Sequence, residues 1–254
     1  MKNYYTTSEV AKIIGIHPNT VRLYEELGLI PTPKRMSNGY RIFTKLHIDQ
    51  FKIARAAFQV EILQNGLRKT AVEIIKTSAT GNFDKALELT EKYLKQINSE
   101  KRNAEEAISI AEGILSQSNK EINNMYLTRK QAADYLDITI DTLRNWELNG
   151  LLTIKRKHNG YRVYTDEDIQ ILKIIRSLRC ANYSLASILR MLNGISINPQ
   201  SDIRAIIDTP RDNDDIISVC DKLLSSLNHT KTNAEYMYSH LKEMKNEYNS
   251  TPPL

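Results

Sequence analysis

Apolar residues recur along this chain with helical spacing, in short segments first and in long ones afterwards. Thr6-x-x-Glu9 has the form of a capping box, in which hydroxyl and carboxylate satisfy amides that the first helical turn leaves unpaired. Val10, Ala11, Ile13 and Ile14 supply the apolar face behind it, and Gly15 ends the segment. Pro18 suits the first turn of a second helix, since its missing N–H would have had no partner there, and Val21, Leu23, Tyr24 and Leu27 carry that helix to Gly28. The prolines at 31 and 33 bar helix. Asn38-Gly39 predicts a two-residue type I′ turn, and the alternation Tyr40, Arg41, Ile42, Phe43 predicts the strand that leaves it. Helices from Lys45 to about Ile62 and from about Leu67 to Thr77 complete a block over residues 1–80.

A different period follows. Between Asn82 and Glu121, Leu87, Glu91, Leu94, Asn98, Lys101, Glu105, Ile108, Glu112 and Leu115 lie on alternating steps of four and three, which predicts a coiled-coil helix whose seam is polar in the middle. With its linker this helix occupies residues 82–122. Then the first pattern returns. Thr128-x-x-Gln131 repeats the capping box, Ala132, Ala133, Tyr135 and Leu136 repeat the apolar face, and Thr139 is a good N-cap for the helix of Arg144, Trp146 and Glu147. Asn159-Gly160 repeats the turn, Ile169 to Ile175 begin a third helix and Leu185 to Leu192 mark a fourth, giving a second block over 126–196. A second coil over 212–249 carries Cys220, Leu224, Leu227, Ala234, Tyr238, Leu241 and Tyr248 on one seam. Residues 250–254 are expected to fray.

The repeat is direct in sequence. T-V-R-L-Y-E-E-L-G-L-I-P-T-P-K-R-M-S-N-G-Y-R-I-F at 20–43 answers to T-L-R-N-W-E-L-N-G-L-L-T-I-K-R-K-H-N-G-Y-R-V-Y at 142–164. A helix, a turn of about four residues, a second helix, then a basic hairpin describe a winged helix-turn-helix, whose second helix enters the major groove of DNA. The predicted fold is therefore mainly α: two winged helix-turn-helix domains, each followed by a long coiled-coil helix.

Charge sharpens this picture. The chain of 254 residues has a net charge of +5, and that charge follows the repeat. Residues 1–69 carry +6 and 126–190 carry +4, whereas 70–125 and 191–254 carry −2 and −3. Such sorting points to two polyanion-binding units. No apolar run is long enough to span a bilayer, the N-terminus lacks the apolar core of a signal peptide, and two cysteines with no ligand cluster or disulfide framework suit a reducing cytoplasm.

These motifs resemble those of the MerR family of transcriptional regulators: T-V-R-x-Y-E-x-x-G-L-I, then N-G-Y-R-x-F, then a helix pair and a long coil. The second copy departs from the pattern with Trp146 for the usual Tyr and with Asn149-Gly150 ahead of Leu-Leu. The resemblance implies binding to two half-sites of a promoter operator, bending and untwisting of that DNA, and RNA polymerase as a partner. It also implies dimers built through an antiparallel pair of coils, so that the two coils of this fold pair antiparallel, and a cytoplasmic, nucleoid-associated protein in a bacterium. An architectural DNA-bending or recombination-directionality protein of a mobile element is the alternative.

Physical roles follow within each unit. Arg22 and Arg144 lie one turn into the recognition helix, within reach of a phosphate or a guanine edge. Lys34, Arg35, Tyr40 and Arg41 in the first wing, with Lys155, Arg156, Tyr161 and Arg162 in the second, are expected on backbone phosphates. Tyr24 and Trp146 are open to two readings, phosphate contact or core. The helix starts differ: His17, Asn19 and Thr20 in one copy, Thr139, Asp141 and Thr142 in the other. Base edges are read from this end, so unlike half-sites and a non-palindromic operator are expected.

A helix of about 35 residues spans roughly 50 Å, so the linker after the first coil would deliver the chain to where a dimer partner's unit normally begins. One chain then imitates a dimer; the rival is a homodimer with four DNA-binding units. Nothing in the sequence suggests catalysis: it has no Gly-rich phosphate loop, no nucleophile with its base and no clustered carboxylates. No cofactor or metal is expected, since the five histidines lack ligand spacing. Cys220 reads as a small apolar seam residue.

Overall fold

The structure is a computed structural model and describes residues 4–59, 66–117, 126–154, 162–198, 201–209 and 222–248. The chain divides into two compact units, residues 1–99 with 227–254, and residues 100–226. Both chain ends thus belong to the first unit.

In the first unit, α1 (Thr7–Ile14) begins with the anticipated capping box. The Thr6 amide donates to Glu9 Oε2 at 2.8 Å and the Glu9 amide donates back to Thr6 Oγ1 at 3.4 Å. Helix α2 (Pro18–Glu26) starts on Pro18 as expected. Two short antiparallel strands, β1 (Lys34–Arg35) and β2 (Arg41–Ile42), form the wing, with Lys34 opposite Ile42 and Arg35 opposite Arg41. Phe43, fully buried, exchanges both backbone hydrogen bonds with Tyr5 at 2.8 and 2.9 Å, so the residue before the N-cap of α1 extends the wing into the core.

The wing turn differs from the expected two-residue form. Met36 donates its amide to the Tyr40 carbonyl at 2.8 Å, leaving a three-residue loop, Ser37-Asn38-Gly39. Of these only Gly39 has positive φ, at 83°, the pattern of a turn closed by a left-handed glycine. Asn38 uses its side chain to accept the Tyr40 amide at 3.1 Å, a local bond that competes with the left-handed conformation a type I′ turn would demand of it.

Helices α3 (Lys45–Phe58) and α4 (Leu67–Ala79) cover the back of this arrangement. The expected extension of α3 to Ile62 falls partly outside the described residues. Gln50, with no exposed surface, donates to the carbonyls of Leu29 at 3.1 Å and Ile75 at 2.9 Å and accepts from Ser78. A fully satisfied buried amide thereby ties the loop after α2 to both supporting helices.

Helix α5 (Phe83–Gln117) has the length expected of the coil, but its seam is shifted by one residue. Phe83, Ala86, Thr90, Tyr93, Ile97, Ala104, Ala107 and Ala111 are buried, on steps of three and four through Glu100, whereas Leu87, Leu94 and Leu115 are half-buried; of the expected apolar seam only Ile108 is buried. The buried face is lined with alanine, and alanine carries little weight in a reading guided by leucine. In the first unit the end of helix α11 (Leu223–Tyr248) runs antiparallel beside the start of α5: Tyr238 donates to Glu91 at 2.9 Å, Lys245 pairs with Asp84, and the rings of Tyr248 and Phe83 lie 6.5 Å apart. Leu224, Leu227, Ala234 and Leu241 are buried as expected, Met237 is buried where Tyr238 had been placed, and Cys220 lies outside the described residues.

Helix α11 also reaches α3. The Tyr248 hydroxyl donates to Asp49 Oδ2 at 2.9 Å, Lys52 lies 3.2 Å from Oδ1 and His240 Nε2 lies 3.5 Å from it. Burial alone would raise the Asp49 carboxyl, but these contacts outweigh it and hold it well below the usual carboxylate range.

The second unit repeats the plan with α6 (Arg129–Tyr135), α7 (Ile140–Leu148), α8 (Asp166–Cys180) and α9 (Leu185–Ile197). Leu127 exchanges backbone hydrogen bonds with the fully buried Tyr164, as Tyr5 does with Phe43. It then adds α10 (Ile203–Asp208), which the sequence reading passed over. Gly194 lets α10 approach closely, since a Cβ there would meet Ile206 Cδ1 at 2.8 Å. Arg190, 9% exposed, donates to the carbonyls of Ile206 at 3.0 Å and Ile207 at 3.1 Å. Asp208 in turn accepts the Leu224 amide at 2.9 Å, capping the start of α11.

Candidate nucleic-acid interface

Helix α2 presents one face to solvent because its other face, Val21 and Tyr24, is buried. His17, Asn19, Arg22, Leu23, Glu26 and Leu27 are exposed, and Thr20 is half-buried. His17 caps the helix, its Nδ1 accepting the Asn19 amide at 3.2 Å, and Arg22 donates to Asn19 Oδ1 at 3.0 Å. The cap fixes the histidine ring at the helix start, and the side-chain bond aligns the guanidinium beside it.

In the second unit, α7 exposes Thr139, Asp141, Arg144, Asn145 and Leu148, with Thr142 half-buried. Thr139 Oγ1 accepts the Thr142 amide at 3.0 Å, as expected of the N-cap. The two reading faces share an arginine one turn in, Arg22 and Arg144, but differ around it: neutral Asn19 against charged Asp141, Leu23 against Asn145.

The rings of Tyr24 and Trp146 belong to the core. They are 6% and 4% exposed, and Tyr24 stacks on Phe51 with ring centroids 5.2 Å apart and meets Phe58 edge-on at 5.8 Å. Their bulk anchors the recognition helix.

The wing arginines have partners that the sequence did not indicate. Arg41 donates through Nε to Glu25 Oε2, and Arg35 Nη2 lies 3.7 Å from Glu25 Oε1. The Glu25 side chain is 12% exposed. In the second unit Glu147, 8% exposed, receives Arg162 Nε at 3.1 Å, the Arg129 guanidinium, and the Tyr164 hydroxyl. Burial first, and then the Glu147 carboxylate accepting its proton, push the Tyr164 hydroxyl up to about 12, so it remains a donor. Sequence reasoning passed over Glu25 and Glu147 as functional positions, although each directly follows the buried aromatic in both copies. Lys34, Arg35 and Tyr40 are exposed, Tyr40 at 71%. Lys155, Arg156 and Tyr161 lie outside the described residues.

Among the described residues no group of three or more His, Cys, Asp or Glu is arranged to hold a metal ion. Nor is any described helix long and apolar enough to cross a membrane.

A capped helix with an exposed arginine occurs in both units, and in the first it stands beside a short two-stranded wing, the parts of a winged helix-turn-helix. Residues 6–43 match the family described as MerR family regulatory protein, and residues 127–195 match MerR HTH family regulatory protein. The chain thus carries, in tandem, two stretches that each match the MerR family. It is 45% identical over 53 residues to the HTH-type transcriptional regulator CueR of Escherichia coli O6:H1, covering 21% of this chain and 39% of that protein. It is 28% identical over 121 residues to the uncharacterized HTH-type transcriptional regulator YyaN of Bacillus subtilis, covering 44% of this chain and 88% of the relative. The chain thus spans about two-fifths of the length of the CueR relatives but most of YyaN. A crystal structure of HiNmlR, a MerR family regulator lacking the sensor domain, bound to promoter DNA, is 26% identical, covers 48% of this chain and 80% of its own, and has a TM-score of 0.28.

Proposed function

We propose that this protein is a double-stranded DNA-binding transcriptional regulator that engages two unlike half-sites of a promoter operator and distorts the DNA between them. The observation that carries this reading is the pair of exposed helix faces that keep an arginine in common, Arg22 and Arg144, while differing at Asn19/Asp141 and Leu23/Asn145. Guanidinium suits a guanine edge in either unit, Asn suits adenine, and a carboxylate suits the amino group of cytosine, so the two faces prefer different bases. The exposed Lys34, Arg35 and Tyr40 supply phosphate contacts that set register. RNA polymerase is the partner this activity calls for.

The chain acts as its own dimer. Within the first unit the end of α11 occupies the face of α5 and the edge of α3, through Tyr238–Glu91, Lys245–Asp84 and Tyr248–Asp49. That is the surface on which a second subunit's coil would otherwise lie. Selection of genomic DNA by the purified protein, followed by footprinting, tests the function: a protected region with two dissimilar halves beside promoter elements is expected. A perfect inverted repeat whose halves bind equally well would overturn it.

A further inference from the structure

The buried carboxylates of Glu25 and Glu147 do work that the DNA-binding reading, on which this inference rests, does not require. Each lies on the inner face of a recognition helix, one residue after the buried aromatic, and each holds by its Nε the arginine of an Asn-Gly-Tyr-Arg motif: Arg41 of β2 in the first unit, Arg162 at 3.1 Å in the second. The side chains of these arginines are 20% and 35% exposed, against 52% for Arg35. The arrangement recurs in two units whose other hub members differ. Arg35 is the further partner in the first, while Arg129 and the Tyr164 hydroxyl are the further partners in the second.

A carboxylate and a phosphate compete for the same face of a guanidinium, because both offer paired anionic oxygens in its plane. We infer that Glu25 and Glu147 are specificity-determining residues that act as internal substitutes for DNA phosphate, withholding one wing arginine per unit from the duplex backbone. Backbone contacts strengthen binding to every sequence alike, whereas base contacts discriminate, so a wing with one fewer phosphate contact leaves a larger share of affinity to Arg22 and Arg144. The same ion pair sets the wing against the recognition helix and so fixes the distance between backbone and base contacts.

The test is a salt titration of binding to a duplex of random sequence and to the selected operator, with helix content followed by circular dichroism. In E25Q the amide keeps the hydrogen-bond acceptor but not the charge, and Arg41 becomes available to phosphate. The random duplex is then expected to bind roughly 3- to 10-fold tighter near 0.1 M salt, with log K against log salt steeper by about 0.9, while the operator gains less and the specificity ratio falls. The double variant E25Q/R41Q should return to within about twofold of wild type in random-duplex affinity, and E147Q with E147Q/R162Q should behave alike. Unchanged or weaker random-duplex binding by a folded E25Q overturns the inference. R41Q alone gives an independent answer if E25Q does not fold. The wild-type salt slope should persist in it, and a slope shallower by about 0.9 would place Arg41 on phosphate already and overturn the proposal. Wild-type protein that binds no duplex at all defeats the DNA-binding reading itself, which is a separate result.

Discussion

His47 shows how one side chain gives the two units different chemistry. It is 6% exposed at the third position of α3, and its Nδ1 accepts the Thr44 amide at 3.0 Å. An accepting ring nitrogen cannot carry a proton, and burial lowers its pKa from 6.5 to about 4. The unfolded chain therefore binds a proton more readily than the folded one. The stabilising effect is fully present above about pH 6.5 and is lost as pH falls towards about 4, a change on the order of 3 kcal/mol if the whole shift is expressed. Asp168 fills the same place in α8, where its carboxylate accepts the Thr165 amide at 2.8 Å, and the second unit has no histidine there. Urea unfolding at pH 7 and pH 4.5 should therefore show a stability difference in the wild type that shrinks markedly in H47D, which borrows the other unit's cap. Equal differences in both proteins would contradict this account. Arg22 and Arg144 yield a second expectation: each changed to Ala should weaken binding to one half-site by about 1–3 kcal/mol and leave the other nearly unaffected, as read by titration of isolated half-site duplexes.

Among the elements, the two long helices carry the sharpest contrast between pattern and packing. The length of α5 and the heptad character of both were evident from spacing, but the inward face of α5 is the row through Ala86, Tyr93 and Ala104, one position before the leucines. A one-residue displacement turns the seam by about 100°, and only the partner surface decides between neighbouring rows. Truncation separates the two registers. Leu241→Ala, at a fully buried position of α11, should lower stability by about 2–5 kcal/mol, whereas Leu87→Ala, at a half-buried one, should lower it by less than about half as much. Thermal unfolding of the two variants measures this. Comparable losses would restore the leucine seam. Helix α10 escaped notice because its six residues are too few to establish a period, although Asp202 caps it by accepting the Ala205 amide at 3.1 Å.

Taken whole, the molecule is a tandem of two related units in which the C-terminal helix returns to the N-terminal one. The first unit is completed by residues 227–254, so its coil face is covered from within the same chain. Light scattering at micromolar concentration should accordingly give a mass near the 29.2 kDa of a single chain. A mass near twice that value would replace the intrachain pseudo-dimer with a homodimer bearing four DNA-binding units.

The amino-acid sequence by itself determined the elements that local chemistry specifies: the capping boxes at Thr6 and Thr128, Pro18 at a helix start, the duplication of the unit and the sorting of charge onto it. Capping, periodicity and charge are properties of near neighbours, and near neighbours can be read from a string. Tertiary structure alone decided which row of α5 faces inward, that Tyr24 and Trp146 are core, and that Glu25 and Glu147 hold the wing arginines. These outcomes depend on groups well separated in the chain being brought together, as with Arg41 and Glu25 or Tyr238 and Glu91. A guanidinium free in sequence becomes a paired one only when the fold supplies its carboxylate.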